Sequence, residues 1–258
     1  MMDFFKQFDT YSLKARVFPA LIAGLPTLAL LFMLVPWDRI GPPHLTASAM
    51  GLVLLFAFAD VARRTGRHVE TKLGTRSAPE QWHRGNADVA EGAKDRYRAF
   101  IADKLKLPAP TAEDERTDSA RANDFYRSAG NWLRENTRDT RTHAILFGEN
   151  ITYGFRRNLL GLKPISLLVN ILVLAFCVVL LWFRPLYFAA LPNIDEKLVM
   201  IIAAVFLHSA YMLFAVNKSA VRDASRAYGT QLVLSCETLM RQPTATTPQA
   251  RRKRNNNG

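Results

Sequence analysis

The sequence predicts an all-α integral membrane protein with two transmembrane helical hairpins around a mainly helical cytoplasmic domain. Three observations lead there. Four long stretches carry no charged residue: Val17 to Trp37, Ile40 to Ala59, Ile165 to Phe183 and Leu198 to Val216. Each matches the roughly 20 apolar residues that a helix needs to cross a ~30 Å hydrocarbon core. The charges concentrate between them instead, with 20 Lys/Arg and 14 Asp/Glu from Arg63 to Lys163. The mean hydropathy is near zero, but it averages two segregated compositions. A soluble core helix usually keeps a polar stripe, whereas Leu167–Phe183 has Asn170 as its one strongly polar side chain.

The elements follow in order. Residues 1–62 are read as an N-terminal segment and the first hairpin. Its opening apolar run is too long for a signal peptide, holds Pro19 and Pro26, and is followed closely by a second span. Residues 63–164 are read as the helical cytoplasmic domain. Within it Tyr97, Phe100, Ile101 and Leu105 recur at helical spacing, and Pro108 and Pro110 end that helix. Thr111 followed by Asp114 is a capping-box pattern. Ala122, Phe125, Ala129, Trp132 and Leu133 predict the next helix, to about Asn136. Trp82 and Trp132 are expected as core aromatics. A further helix, about Thr142 to Leu160, leads into the second hairpin at 165–216. Residues 217–242 read as an amphipathic helix with Val221, Ala224, Tyr228, Leu232, Cys236 and Leu239 on one face. The tail 243–258 is expected to be disordered, and RRKR at 251–254 reads as an anionic-lipid contact beside a membrane or, as the alternative, a localisation or nucleic-acid signal.

Lys and Arg set the orientation. Lys6, Lys14, Arg16, Arg63, Arg64, Arg67, Arg156, Arg157, Lys163, Lys218, Arg222 and Arg226 flank the spans on one side; the opposite loops hold only Arg39, Arg184 and Lys197. The positive-inside rule places both termini and the middle region in the cytoplasm. In a bacterium the membrane is then the inner one, since outer-membrane proteins are barrels.

Catalytic chemistry has no constellation here. HExxH, GxSxG, GxxxxGK[ST] and GxGxxG are all absent from the sequence. The five histidines have no metal-ligand spacing, so no enzyme, cofactor or metal is expected. A disulfide between Cys177, inside a span, and Cys236, outside one, is not expected. The net charge of +12 suits an anionic ligand and equally a plain positive-inside bias.

Two groups of residues remain as candidates. Asn170, His208 and Ser209 are the polar exceptions within the spans. They either line or gate a path, or bond helix to helix. Tyr153, Phe155, Arg156 and Arg157, with Arg138 and Arg141 upstream, combine aromatic faces with guanidinium forks. That combination reads a nucleotide or a short single strand, or anchors a helix at the interface. Asp60 ends the second span within reach of Arg63 or Arg64.

The segments YSLKARVFPALIAGLP (Tyr11–Pro26) and ENITYGFRRNLLGLKP (Glu149–Pro164) resemble membrane effectors of bacterial anti-phage defence loci. They look most like the effector of the two-protein Hailong type, whose partner is a nucleotidyltransferase encoded by a neighbouring gene. The resemblance implies a homo-oligomeric, channel-like protein held closed by short deoxyadenylate strands. Loss of that ligand would open it and collapse the membrane potential. The alternative is a non-channel inner-membrane scaffold that recruits a cytosolic partner. A secondary transporter is a third, weaker fit, because the two hairpins do not read as repeats.

Overall fold

The computed structural model describes residues 9–35, 44–75, 79–189 and 191–241. Their regular structure is entirely helical. The chain divides into two compact units: residues up to Ser77 with Phe147–Tyr228, and Ala78–Leu146 with the residues from Gly229 on. This partition is narrower than the domain expected at 63–164. Both ends of that polar segment belong to the apolar helices, and the end of the last helix belongs to the second unit.

In the first unit, α1 (Thr10–Ala23) opens with the Asp9 side chain accepting the Ser12 N–H at 2.6 Å. It widens into a π turn over Leu13–Val17 just ahead of Pro19. Gly24 breaks the helix, and α2 (Leu25–Leu34) leaves at 61° to α1. Helix α3 (His44–Leu73) carries the second uncharged stretch, which begins at Ile40 outside the described residues.

The chain returns to this unit within α7 (Ala144–Phe183), which runs unbroken through Pro164 for 40 residues. The short helix α8 spans Leu186–Ala189, and α9 (Ile194–Ala210) ends in a π turn, Tyr211–Ala215. The final helix, α10 (Lys218–Arg241), starts in this unit and finishes in the other. Ala144–Phe183 and Ile194–Ala215 are each long and apolar enough to cross a membrane; Thr10–Ala23 and Leu25–Leu34 meet that condition only as a bent pair.

These helices turn large apolar side chains outward. Phe32, Leu54, Ile171, Trp182, Leu207 and Phe214 are all more than three-fifths exposed. Inside, small residues let backbones approach, as is usual for helices that pack in lipid. A Cβ on Gly161 would stand 2.6 Å from the Gly66 nitrogen, so α3 and α7 touch backbone to backbone there.

The second unit holds α4 (Glu91–Leu105), α5 (Ala112–Thr117), α6 (Ser119–Asn136) and the end of α10. Lys106, in the left-handed region at φ 55°, closes α4 two residues before Pro108. Thr111 and Asp114 form the expected reciprocal capping box. Trp82 is buried and stacks on Tyr126 with centroids 5.9 Å apart. Trp132 is only half-buried and meets Phe100 edge-on.

Two cations are buried in this unit. The Lys94 ammonium donates to the His83 and Asn86 carbonyls at 2.6 and 2.7 Å and pairs with Glu91 at 2.9 Å. Arg98 donates to Glu91, Asp95 and the Trp82 carbonyl. Cys177 and Cys236 are free, buried thiols. The expected tail at 243–258 and the first outer loop lie outside the described residues.

Candidate functional site

Proline chemistry builds the site. A helical carbonyl accepts from the N–H four residues on, and proline has no N–H to offer. Pro19 therefore deprives Ala15 of its partner, and Pro26 deprives Ile22. A bare carbonyl at membrane depth costs several kcal/mol if left unmet. The π turn and the break at Gly24 loosen the same stretch.

Side chains from α7 and α9 supply the missing donors. Asn158 is fully buried, and its Nδ2 donates to the Ala15 carbonyl at 2.6 Å. Ser166 Oγ donates to the Ala23 carbonyl at 2.9 Å. His208 Nε2 lies 2.9 Å from the Ile22 carbonyl. A carbonyl accepts only, so Nε2 carries the proton and Nδ1 is left as the acceptor. Asn170 Nδ2 then donates to that Nδ1 at 3.1 Å and to Ser209 Oγ at 2.7 Å.

The spacing explains how one helix serves the whole break. Asn158, Leu162, Ser166 and Asn170 are separated by four residues each and form one row along α7. All four are buried. Gly66 makes the room: a Cβ there would collide with the Asn158 amide. Lower on the same helix, Lys163 Nζ donates to the Leu213 and Val216 carbonyls, at 3.1 and 2.9 Å. There it satisfies the open end of α9, where a cation is favoured.

Asn170, His208 and Ser209 thus meet as a clasp. Their polar atoms are turned to one another and to the backbone of α1, and the Asn170 and His208 side chains are buried. Within the chain they bond helix to helix.

The expected ligand residues fare differently. Arg157 pairs with Glu70 at 2.6 Å, both side chains nearly buried, and its guanidinium lies 5.3 Å from the Tyr153 ring centroid. Tyr153 is buried, meets Thr75 Oγ1 at 2.9 Å and stacks on Tyr228. Phe155 packs against the cluster of Ala20, Ala23, Ala62 and Leu162. Among Tyr153, Phe155, Arg156 and Arg157 it is Arg156 that is exposed, and it donates to the Ala220 carbonyl at 3.1 Å.

Arg138 and Arg141 belong to the other unit. Arg138 pairs with Glu135 one turn earlier, and the Arg141 N–H bonds Asp139. Tyr153, Phe155 and Arg157 therefore serve as packing between helices. Asp60 pairs with Arg64, at 2.7 Å, and not with Arg63.

Asn158 and Ser166 escaped sequence reasoning, because each is unremarkable alone. For Asn158 the available signal was Pro19, which orphans the Ala15 carbonyl; the Ala23 carbonyl met by Ser166 lies at the Gly24 break and carries no proline signal. Among the described residues no cluster of three His, Cys, Asp or Glu side chains has the placement to hold a metal ion. Comparison with protein-family models, curated proteins and solved structures returns no match to this chain.

Proposed function

We propose that the chain is a regulated, channel-like membrane effector whose moving part is the broken first helix. The observation that carries this reading is the 61° break between α1 and α2, spanned by side-chain bonds to Ile22 and Ala23. Continuous helices need no such clasp. Broken helices at membrane depth are the usual means by which transport proteins build movable, polar-lined elements. The Asn170–His208–Ser209 cluster holds the break in one geometry. Releasing it frees the Ile22 carbonyl and the polar side chains gathered around it.

The proposal places four spans in the bacterial inner membrane, with both termini and residues 63–163 cytoplasmic, on the Lys/Arg bias of the flanks. A four-helix bundle fills its own interior with side chains, so a water path is assigned to several copies together. The resemblance to anti-phage effectors supports a short deoxyadenylate strand as the closing ligand. It also supports a nucleotidyltransferase as the neighbouring gene product.

The test is membrane potential, followed with a voltage-sensitive dye during expression with and without the neighbouring gene. Depolarisation without the neighbour and protection with it are expected. Asn170→Leu should raise the leak under protected conditions. An unchanged potential in every combination would remove the effector reading and favour the scaffold. Topology is tested separately: reporters after Gly41 and Asn193 should be periplasmic, and those after Gly74 and Gly258 cytoplasmic.

A further inference from the structure

The first uncharged stretch begins at Val17 and the second ends at Ala59. At that level α1 and α3 line a half-open cavity of about 330 Å³. One wall is apolar, made by Val17, Phe56 and Ala59. The rim is polar and contains Ser12, Arg16 and Arg63.

The charges around the cavity are unequally matched. Arg64 has Asp60 at 2.7 Å, and Arg157 has Glu70 at 2.6 Å. Asp60 also lines the cavity, but its charge is answered by Arg64. Arg16 and Arg63 have no carboxylate within ion-pair distance among the described residues. The half-buried Arg16 donates to the neutral Ser12 Oγ at 3.2 Å and lies 5.4 Å from the Tyr11 ring centroid. Asp9 attracts this guanidinium from a distance, whereas Arg63 and Arg157 repel it. Two guanidinium groups on one rim, neither paired with a carboxylate among the described residues, suit an anion from outside. The guanidinium fork fits phosphate oxygens with two parallel bonds.

We infer that the Arg16–Arg63 cavity is a binding site for an anionic phosphate ester that carries an apolar or aromatic group. The phosphate lies between the two arginines and the apolar group against Val17, Phe56 and Ala59. Two sources carry this chemistry. A phospholipid of the adjoining leaflet would present its headgroup at this depth, as in other basic pockets between membrane helices. A soluble nucleotide strand would enter from the polar side. The inference rests on the membrane reading of the apolar helices and not on the channel reading. Its failure leaves the membrane-potential experiment untouched.

The experiment measures the thermal midpoint of the full chain in two titrations. One raises phosphatidylglycerol in phosphatidylcholine nanodiscs; the other adds a short single-stranded DNA to protein in neutral detergent. At least one probe should raise the wild-type midpoint, and which one does so identifies the source. Each arginine removed should raise the half-effective concentration about fivefold, first in Arg63→Gln and further in the Arg16→Gln/Arg63→Gln double variant. Arg64→Gln, equally basic and nearby but off the rim, should behave as wild type. If the double variant does not fold, Arg63→Gln at its exposed position decides alone. A wild type that responds to neither probe overturns the site. So does an Arg63→Gln response equal to wild type, or an Arg64→Gln loss as large as that of Arg63→Gln.

Discussion

The two units use the same secondary structure and opposite solvents. In the unit of long apolar helices, Leu, Ile, Phe and Trp point outward while Asn158, Ser166, Asn170 and His208 are buried. In the other unit, the large apolar side chains of the described residues are buried or half-buried, with Leu107, Ile145 and Met240 exposed. Helical periodicity alone does not decide which face goes in. The surroundings decide: lipid gains nothing from covering Leu, so contact between apolar helices depends on close backbones and polar bonds. Water makes burial of Trp82 and Tyr126 favourable by itself.

Their buried polar groups differ for the same reason. The apolar unit pairs neutral side chains with carbonyls left open by Pro19, Pro26 and the break at Gly24. The polar unit buries Lys94 and Arg98 and must answer whole charges, which it does with Glu91, Asp95 and three loop carbonyls. Each arrangement can be broken separately.

The largest effect is expected where backbones touch. Gly161→Leu would force α7 away from Gly66 and Thr65 and should cost about 3 kcal/mol. It should abolish a monodisperse peak in detergent size-exclusion chromatography. A variant that elutes and melts as wild type would mean that α3 and α7 do not meet there. The charge network comes next. Glu91→Gln leaves two buried cations with fewer partners. Asp95 and the carbonyls remain, so the loss should be about 2 kcal/mol, below the full cost of breaking a buried pair. The measurement is denaturant unfolding followed by tryptophan fluorescence, in which a shift below about 0.5 kcal/mol would show the network to be unimportant.

Acid should separate the two units. Burial pushes the Glu91 carboxyl up, but hydrogen bonds from Lys94 and Arg98 outweigh it and hold the group below its ordinary value. Glu115 is likewise raised by burial and lowered further by Tyr126 and the Arg84 N–H, with a net fall. An acid held lower in the folded state contributes stability that is complete above its unfolded pKa, and that stability is lost as pH falls through the folded value. The polar unit should therefore weaken as pH drops below about 4. Glu91→Gln should flatten that profile, measured by limited proteolysis between Ala78 and Leu146; equal acid sensitivity in the variant would reject the assignment.

The smallest effect belongs to the clasp. Asn170→Leu removes one donor from His208 and Ser209, yet His208 keeps the Ile22 carbonyl. About 1 kcal/mol is expected by thermal melting in detergent. A loss above about 3 kcal/mol would make the cluster a principal support of the fold.

Much of the local structure was legible from residue order. Thr111 and Asp114 announce a helix start because both capping partners lie within four residues, and Lys106 closes α4 just short of Pro108 as expected. The rows at Phe125–Leu133 and Val221–Cys236 announce buried faces because helical period converts spacing into direction. The uncharged runs Ile165–Phe183 and Leu198–Val216 mark the two helices long and apolar enough to cross a membrane. What residue order could not supply was the partner of any group that bonds at long range. Arg157 looked like a free fork until Glu70, 87 residues earlier, took it. Asn170, His208 and Ser209 read equally as a path lining or as bonds between helices, and residue order gave no hint of the Ile22 carbonyl they meet. Capping, periodicity and hydrophobic length act within a few turns and are written in the sequence. The pairing of an orphaned carbonyl with a side chain more than a hundred residues away depends on which helices meet, and only the tertiary structure decided that.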